Sequence, residues 1–420
     1  MSAPSSRPSY AAVLRVAHAR RTFGAALIGR LSYGVVSVAV ILTVTRATGS
    51  YGVAGTVIAL YGALSVVLMP YRASLVDRFG PRRALTPMAL LHSALLCVLA
   101  AAAWRPGAPA VALGVLGALG GACAPPLGPA MRSVWSELAP EPALLRRAYS
   151  LDGVAEELLY VTGPLLVGVV CAVGGATPPA AGLLLSAALM ATGTLAFVTS
   201  PAVGAVGPVG PAGPKSPRPH GDRGGPGRAL LQPVLVAAGV GLSLSVVDLL
   251  VVAVAERTHH RDDTVAWVLA ALSAGSAVGG LLNGAVDWRT PARTRLPFCA
   301  AGLGITLAAA GLAPGIGTLA VAVACAGLFV APTMTTAYLI AYETAPPGLR
   351  TRSGAWINTG INAGSSAGAA GAGWLLQQLP TGPCFALAGA MAVATALIPG
   401  GRRPRTTTAK RPAESPPPGA

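Results

Sequence analysis

Charge is what this sequence has least of. Asp, Glu, Lys and Arg make up 10% of its 420 residues, and acids number 14 against 30 Lys and Arg. A water-soluble domain carries roughly 25% charged residues, so a soluble globular protein is excluded. Aromatic residues are only 5% of the chain. There is no Walker loop, which excludes ATP-driven work by this chain. No Gly-x-Ser-x-Gly, no His-Glu-x-x-His and no paired Cys and His appears, so no enzyme chemistry is legible, and no cofactor or metal is expected. The cysteines, Cys97, Cys123, Cys171, Cys299, Cys325 and Cys384, form no Cys-x-x-Cys pair and lie almost entirely inside apolar runs; they read as small buried side chains. The 53 glycines follow no Gly-X-Y period, so collagen is excluded.

What remains is apolar. Hydrophobic residues are 53% of the chain and mean hydropathy is +0.63. A bilayer core takes about 20 apolar residues in helical form. Twelve such runs follow one another, near 23–44, 52–71, 84–103, 109–131, 150–173, 179–199, 230–254, 265–286, 295–313, 316–341, 352–376 and 382–400. The first begins after Arg20 and Arg21, is long, and ends at Thr45-Arg46, so it reads as a retained helix and not as a cleaved signal. The net charge of +16 does not imply nucleic acid, because the basic residues fill gaps between runs. Arg46, Arg105, Arg257 and Arg261 fall in one set of alternate gaps; nearly all other Lys and Arg fall in the other set. Basic residues collect on the cytoplasmic side, so both termini are expected there, in a plasma membrane, against its anionic lipids.

The chain divides into a cytoplasmic segment 1–22, a six-helix bundle 23–199, a Pro- and Gly-rich flexible linker 200–229, a second bundle 230–400, and a basic, disordered tail 401–420. A shift of 210 residues brings Asp77 onto Asp287, Pro81 onto Pro291 and Arg83 onto Arg293, each between the second and third helix of its half, as in a duplicated chain. The expected fold is an all-α integral membrane protein with 12 transmembrane helices in two pseudo-symmetric bundles.

The basic turn at 72–83, Arg-Ala-Ser-Leu-Val-Asp-Arg-Phe-Gly-Pro-Arg-Arg, resembles the G-x-L-x-D-R-x-G-R-R loop between the second and third helices of the major facilitator superfamily. Ala73 and Pro81 depart from that pattern. The resemblance implies that Asp77 faces the amino end of the eleventh helix, near Thr351, Arg352 and Ser353, and that Asp77, Arg78, Gly80, Arg82 and Arg83 form a latch between the halves. The three arginines would meet acidic groups or lipid headgroups. Gly163-Pro164, followed by Gly168, is similar to the fifth-helix motif of the drug/proton antiporters, in which the Gly-Pro step bends the helix between halves; Leu159 and Val167 stand where that motif has Gly. The stretch 132–148 reads as a loop; with the helix after it, in Arg132-Ser133-Val134-Trp135-Ser136 and Arg147-Ala148-Tyr149-Ser150-Leu151-Asp152, it resembles actinobacterial-type efflux facilitators.

Acids inside membrane spans are costly and mark functional candidates. Asp152 and Glu156, with Glu157 beside them, lie in the fifth span, within reach of a snorkelling escape to the interface; Arg30 lies at similar depth in the first. Arg30 is expected to pair with Glu156 or Glu157, either to move protons or to hold helices together. Asp248 stands alone in the seventh span, as a proton or cation site or as a group facing the outer vestibule. Pro125, Pro126 and Pro129 predict a kinked fourth helix. That helix ends before Arg132, which leaves Arg30 as the only cation within a span. Gly360, Gly364 and Gly368 predict close helix packing, and Asn358 and Asn362 a polar stripe towards the cavity. Trp356 and Trp374 read as interfacial belts. His259 and His260, with Asp262 and Asp263, read as a solvated outer loop.

The function expected from all this is a monomeric secondary transporter working by alternating access, exporting a hydrophobic or cationic small molecule in exchange for protons. A proton-coupled importer of a metabolite, and a membrane sensor that moves no solute, are the alternatives.

Overall fold

The computed structural model describes residues 9–173, 179–205, 227–257, 262–346 and 348–399. His259, His260, most of the 200–229 linker and the 401–420 tail lie outside the described residues. Within a bilayer every backbone polar group needs an internal partner, and these Ala-, Gly-, Leu- and Val-rich runs supply it as helices. The first half contains α1 (Tyr10–Arg15), α2 (Ala19–Thr48), α3 (Tyr51–Val67), α4 (Met69–Phe79), α5 (Pro81–Ala102), α6 (Ala110–Cys123), α7 (Leu127–Leu138), α8 (Pro142–Val173) and α9 (Ala180–Val198). A short α10 (Pro201–Ala205) opens the stretch expected to be linker. The second half contains α11 (Arg228–Arg257), α12 (Asp262–Ala285), α13 (Ala292–Ala310), α14 (Ile316–Thr344), α15 (Arg350–Leu375) and α16 (Thr381–Ala396).

Each of the twelve apolar runs is helical. Among the described residues, eight helical stretches, with α6 and α7 counted together, are long and apolar enough to cross a membrane, and the α3–α4 pair, bent by 45°, makes nine. α13, with Arg293 and Arg295 in its first turn, and α15, with polar residues along its length, are less apolar than these, and α16 is apolar but shorter. They complete an all-α membrane fold of twelve spans in two six-helix bundles.

Within the first bundle α2 packs on α8 and α9, and α5 packs on α6 and α9. The second repeats the plan, α11 on α15 and α16, and α13 on α14 and α16. The bundles meet along two seams: α8 against α12 and α14, and α15 against α4 and α7. One buried cluster built around Trp135, Phe197, Tyr149, Tyr338 and Ile357 takes residues from both halves.

Small residues set the helix spacing. A methyl group built on Gly360 would lie 2.6 Å from the Val234 carbonyl, and one on Gly364 would run into the Ala238 carbonyl. One on Gly368 would meet Leu242 in the same way. The three glycines therefore seat α15 directly on α11. Gly80 has φ +83 and ψ 154, a conformation close to Gly-only, and it turns α4 into α5 within one residue. Pro81 then opens α5 at a position where a missing N–H costs no helical bond.

Two helices differ from expectation. The stretch 132–148 is not a loop: α7 runs to Leu138 and α8 starts at Pro142. α8 itself continues unbroken through Pro164. Gly163 lies against the Gly34 backbone of α2, inside its own bundle, and not at the seam where the antiporter motif would put it.

Candidate functional site

Asp152 and Glu156 sit one helical turn apart on α8 and share a face. Two arginines reach them from neighbouring helices. Arg30 of α2 donates from Nη1 to Asp152 Oδ1 at 2.7 Å and forms an ion pair with Glu156, Nη2 to Oε2, at 3.0 Å. Arg132 of α7 forms an ion pair with Asp152, Nε to Oδ2, at 2.9 Å, and its Nη2 donates to Glu156 Oε2. Asp152 is wholly buried and both arginines are nearly so. Two positive and two negative groups leave this square with no net charge, which is what lets it persist away from water.

Arg132 also ties the two bundles together. Its guanidinium lies over the Tyr338 ring of α14 at 3.8 Å, a cation–π contact. The Tyr338 hydroxyl donates to Asn358 Oδ1 of α15 at 2.6 Å, and Asn362 Nδ2 donates to the Asn358 carbonyl at 2.7 Å. Tyr149 donates to the Arg132 carbonyl at 3.1 Å.

Two cavities adjoin this network. One, of 260 Å³, lies between α2, α3, the α6–α7 break and α15; the other, of 320 Å³, lies between α8, α14 and α15. Glu156, Tyr160, Asn358 and Asn362 line both, so they adjoin along one surface between the bundles. Tyrosines, Met334, Val330 and Leu244 give the second a mostly aromatic and aliphatic wall. Glu157 faces this second cavity too. Its carboxylate accepts a hydrogen bond from Ser276 Oγ of α12 at 3.3 Å, across the seam.

Several expectations are corrected here. Arg30 is not the only cation within a span: Arg132 and Arg72 are buried inside α7 and α4. Arg30 pairs with Asp152 and Glu156, and Glu157 takes its hydrogen bond from α12 instead. Asp152, at 0% exposure, does not snorkel. Asp248 is exposed on α11 and lines neither cavity. Trp374 is exposed and Trp356 partly buried.

At one end of the bundles lie two carboxylates with related surroundings. Asp77 Oδ1 accepts from the Thr351 amide at 3.1 Å and Oδ2 from the Arg352 amide at 2.8 Å. These are first-turn amides of α15, which have no partner within the helix and carry its positive dipole. Asp287, at the position related by the 210-residue shift, pairs with Arg146 at 3.4 Å and Arg147 at 3.3 Å, in the first turns of α8. Each bundle thus holds the start of a helix of the other. Arg350 and Glu137 add a further pair across the seam. Arg78, Arg82 and Arg83 are exposed, with Arg78 over the Phe79 ring at 5.1 Å. The Tyr10 hydroxyl of α1 donates to the Leu281 carbonyl of α12 at 2.6 Å. Burial pushes that phenol above its ordinary pKa, against the pull of Arg147 nearby.

Comparisons place this architecture among known proteins. No curated protein sequence matches the chain. Among solved structures, the human organic anion transporter MFSD10 (TETRAN) is similar with a TM-score of 0.68 at 13% identity, covering 90% of this chain and 98% of that one. A bacterial homologue of the iron transporter ferroportin, in an outward-facing state, has a TM-score of 0.64 at 16% identity, covering 90% and 96%. The proton:xylose symporter XylE has a TM-score of 0.62 at 14% identity, covering 93% and 95%. At such identities these likenesses establish the fold alone. The family model described as Major Facilitator Superfamily matches residues 22–235 and 234–419, nearly the whole chain. The chain belongs to the major facilitator superfamily, whose members are multi-pass membrane transporters.

Proposed function

We propose that this chain exports hydrophobic or cationic small molecules from the cytoplasm in exchange for protons, by alternating access around the cavity between its bundles. The observation that carries the reading is the charge inventory of that cavity. Arg30, Arg132, Asp152 and Glu156 neutralise one another. Glu157 adds one carboxylate, whose hydrogen-bond partner among the described residues is the Ser276 hydroxyl. A lone carboxylate in a cavity lined by tyrosines and aliphatic side chains is costly when ionised. It is relieved by a proton or by a cationic substrate. The two occupants exclude each other, and that exclusion is what exchange requires. The aromatic wall suits a flat or hydrophobic cation.

In this reading Asp77 and Asp287 hold the cytoplasmic face shut, and Arg78, Arg82 and Arg83 lie at the headgroup level of a plasma membrane. Gly360, Gly364 and Gly368 keep α11 and α15 moving as one body, and Gly163 and Pro164 do the same for α8 and α2. Asp248 lies off the route, towards the outer vestibule.

Tetraphenylphosphonium, a hydrophobic cation, serves as the probe. Its binding to the purified protein in weakly buffered detergent is expected to release a proton, read with a pH dye. Glu157→Gln is expected to bind the probe without release. Equal proton release from the two proteins removes Glu157 from the coupling.

A further inference from the structure

We propose that Arg72 is a positioning residue that transmits the state of the cavity to the Asp77 latch. The proposal rests on the transporter reading above.

The argument starts from the break between α6 and α7. Pro125 has no N–H to give the Gly121 carbonyl, and Pro129 has none to give the Pro125 carbonyl. The Ala124 amide bonds Gly121 and so leaves the Gly120 carbonyl free. The break is not left bare: the Gly121 carbonyl accepts the Ala124 amide at 3.3 Å and the Pro125 carbonyl accepts the Leu127 amide at 2.9 Å. A membrane interior offers a carbonyl no water, and side chains complete the set. His92 Nδ1 meets Gly120 at 2.8 Å, the Tyr33 hydroxyl meets Pro125, and Arg72 Nη1 meets both Gly121, at 3.1 Å, and Ala124.

Arg72 has a second set of partners at the α3–α4 bend. Its Nη2 donates to the Ser65 carbonyl and its Nε to Leu68 at 3.4 Å. One buried guanidinium therefore clamps two helix breaks, using the fork geometry that lysine lacks. Ser65, Ala124 and Pro125 line the 260 Å³ cavity. Arg72 and Asp77 share the short α4, five residues or about 7.5 Å apart along its axis. α4 is thus a rigid lever: its cavity end is pinned to backbone that a substrate would touch, and its other end caps α15. A change at Ala124–Pro126 moves Asp77 through Arg72.

The test uses full-length protein with its six native cysteines replaced by alanine. One reporter is Ser353→Cys, at a buried site beside the latch; the other is Ser37→Cys, on the wall of the cavity. Labelling by N-ethylmaleimide in membranes is followed for the parent, Asp77→Asn, Arg72→Lys and Arg72→Gln. The lever predicts that Asp77→Asn and both Arg72 variants speed labelling at Ser353→Cys by about fivefold or more and slow it at Ser37→Cys, a shift between states. In the Asp77→Asn background, Arg72→Lys is expected to add little further. If Asp77→Asn shifts both reporters and neither Arg72 variant does, the lever is wrong and the latch stands. If Asp77→Asn shifts neither, the latch reading itself fails. If an Arg72 variant speeds both reporters, it has loosened the protein without shifting it, and the proposal is overturned. Arg72→Lys keeps the charge, so the test survives should Arg72→Gln not fold.

Discussion

Arg132 joins three things that pull on a buried side chain: two carboxylates, an aromatic ring and, through that ring, an asparagine of the opposite bundle. Removing it leaves Asp152 fully buried with only Arg30 to balance it beside Glu156. Arg132→Ala is therefore expected to cost on the order of 3 kcal/mol, read as a lower thermal midpoint in detergent. Arg30→Lys is expected to lose part of the same stability, since an ammonium cannot fork across two carboxylates. An unchanged midpoint in both variants would mean that the square is not what holds α2, α7 and α8 together. The carboxylates and Arg30 were legible in the sequence, because charge inside an apolar run is conspicuous. Arg132 was not, because three prolines and a nearby basic stretch imitate the end of a span. The signal that could have found it is the spacing of Met131, Val134, Trp135 and Leu138, which continues a helical face past Pro129. Glu157 was legible as a candidate but not in its partner, since nothing local places Ser276 beside it.

At the scale of elements, α15 and α11 pack backbone to backbone through glycines one turn apart. Gly364→Ala is expected to force the pair apart at a cost of about 1–3 kcal/mol, the range for overpacking, with a matching loss of monodisperse protein on size exclusion. Gly371→Ala is the control: nothing lies within 4 Å of a methyl group there, so it is expected to behave as the parent. Equal behaviour of the two variants would contradict the packing argument. Helix number and order were legible throughout, because apolar run length reports them directly. Ends were less so. α8 begins at Pro142, eight residues before its apolar run, because its first turns face the other bundle and carry Arg146 and Arg147 for that purpose. Apolarity is blind to a helix end that packs by charge.

For the whole molecule, the two latches extend the duplication from sequence into contact. Asp77 and Asp287 match under the 210-residue shift, and each grips a helix of the opposite bundle across its own seam. If the bundles rock as rigid bodies, opening at one latch is opening at both. Asp287→Asn is then expected to speed N-ethylmaleimide labelling at both Ser353→Cys and Ser150→Cys, although Ser150 is the buried residue nearer to it, facing Gly284. Labelling confined to Ser150→Cys would mean that each seam opens locally. The direct test of the account is transport itself. The protein is reconstituted in liposomes, a pH gradient is imposed, and the movement of tetraphenylphosphonium is measured for the parent and for Glu157→Gln. The account predicts that the gradient makes the parent accumulate the cation, while Glu157→Gln only equilibrates it. Accumulation by Glu157→Gln equal to that of the parent, or no movement of the cation by the parent, would contradict it.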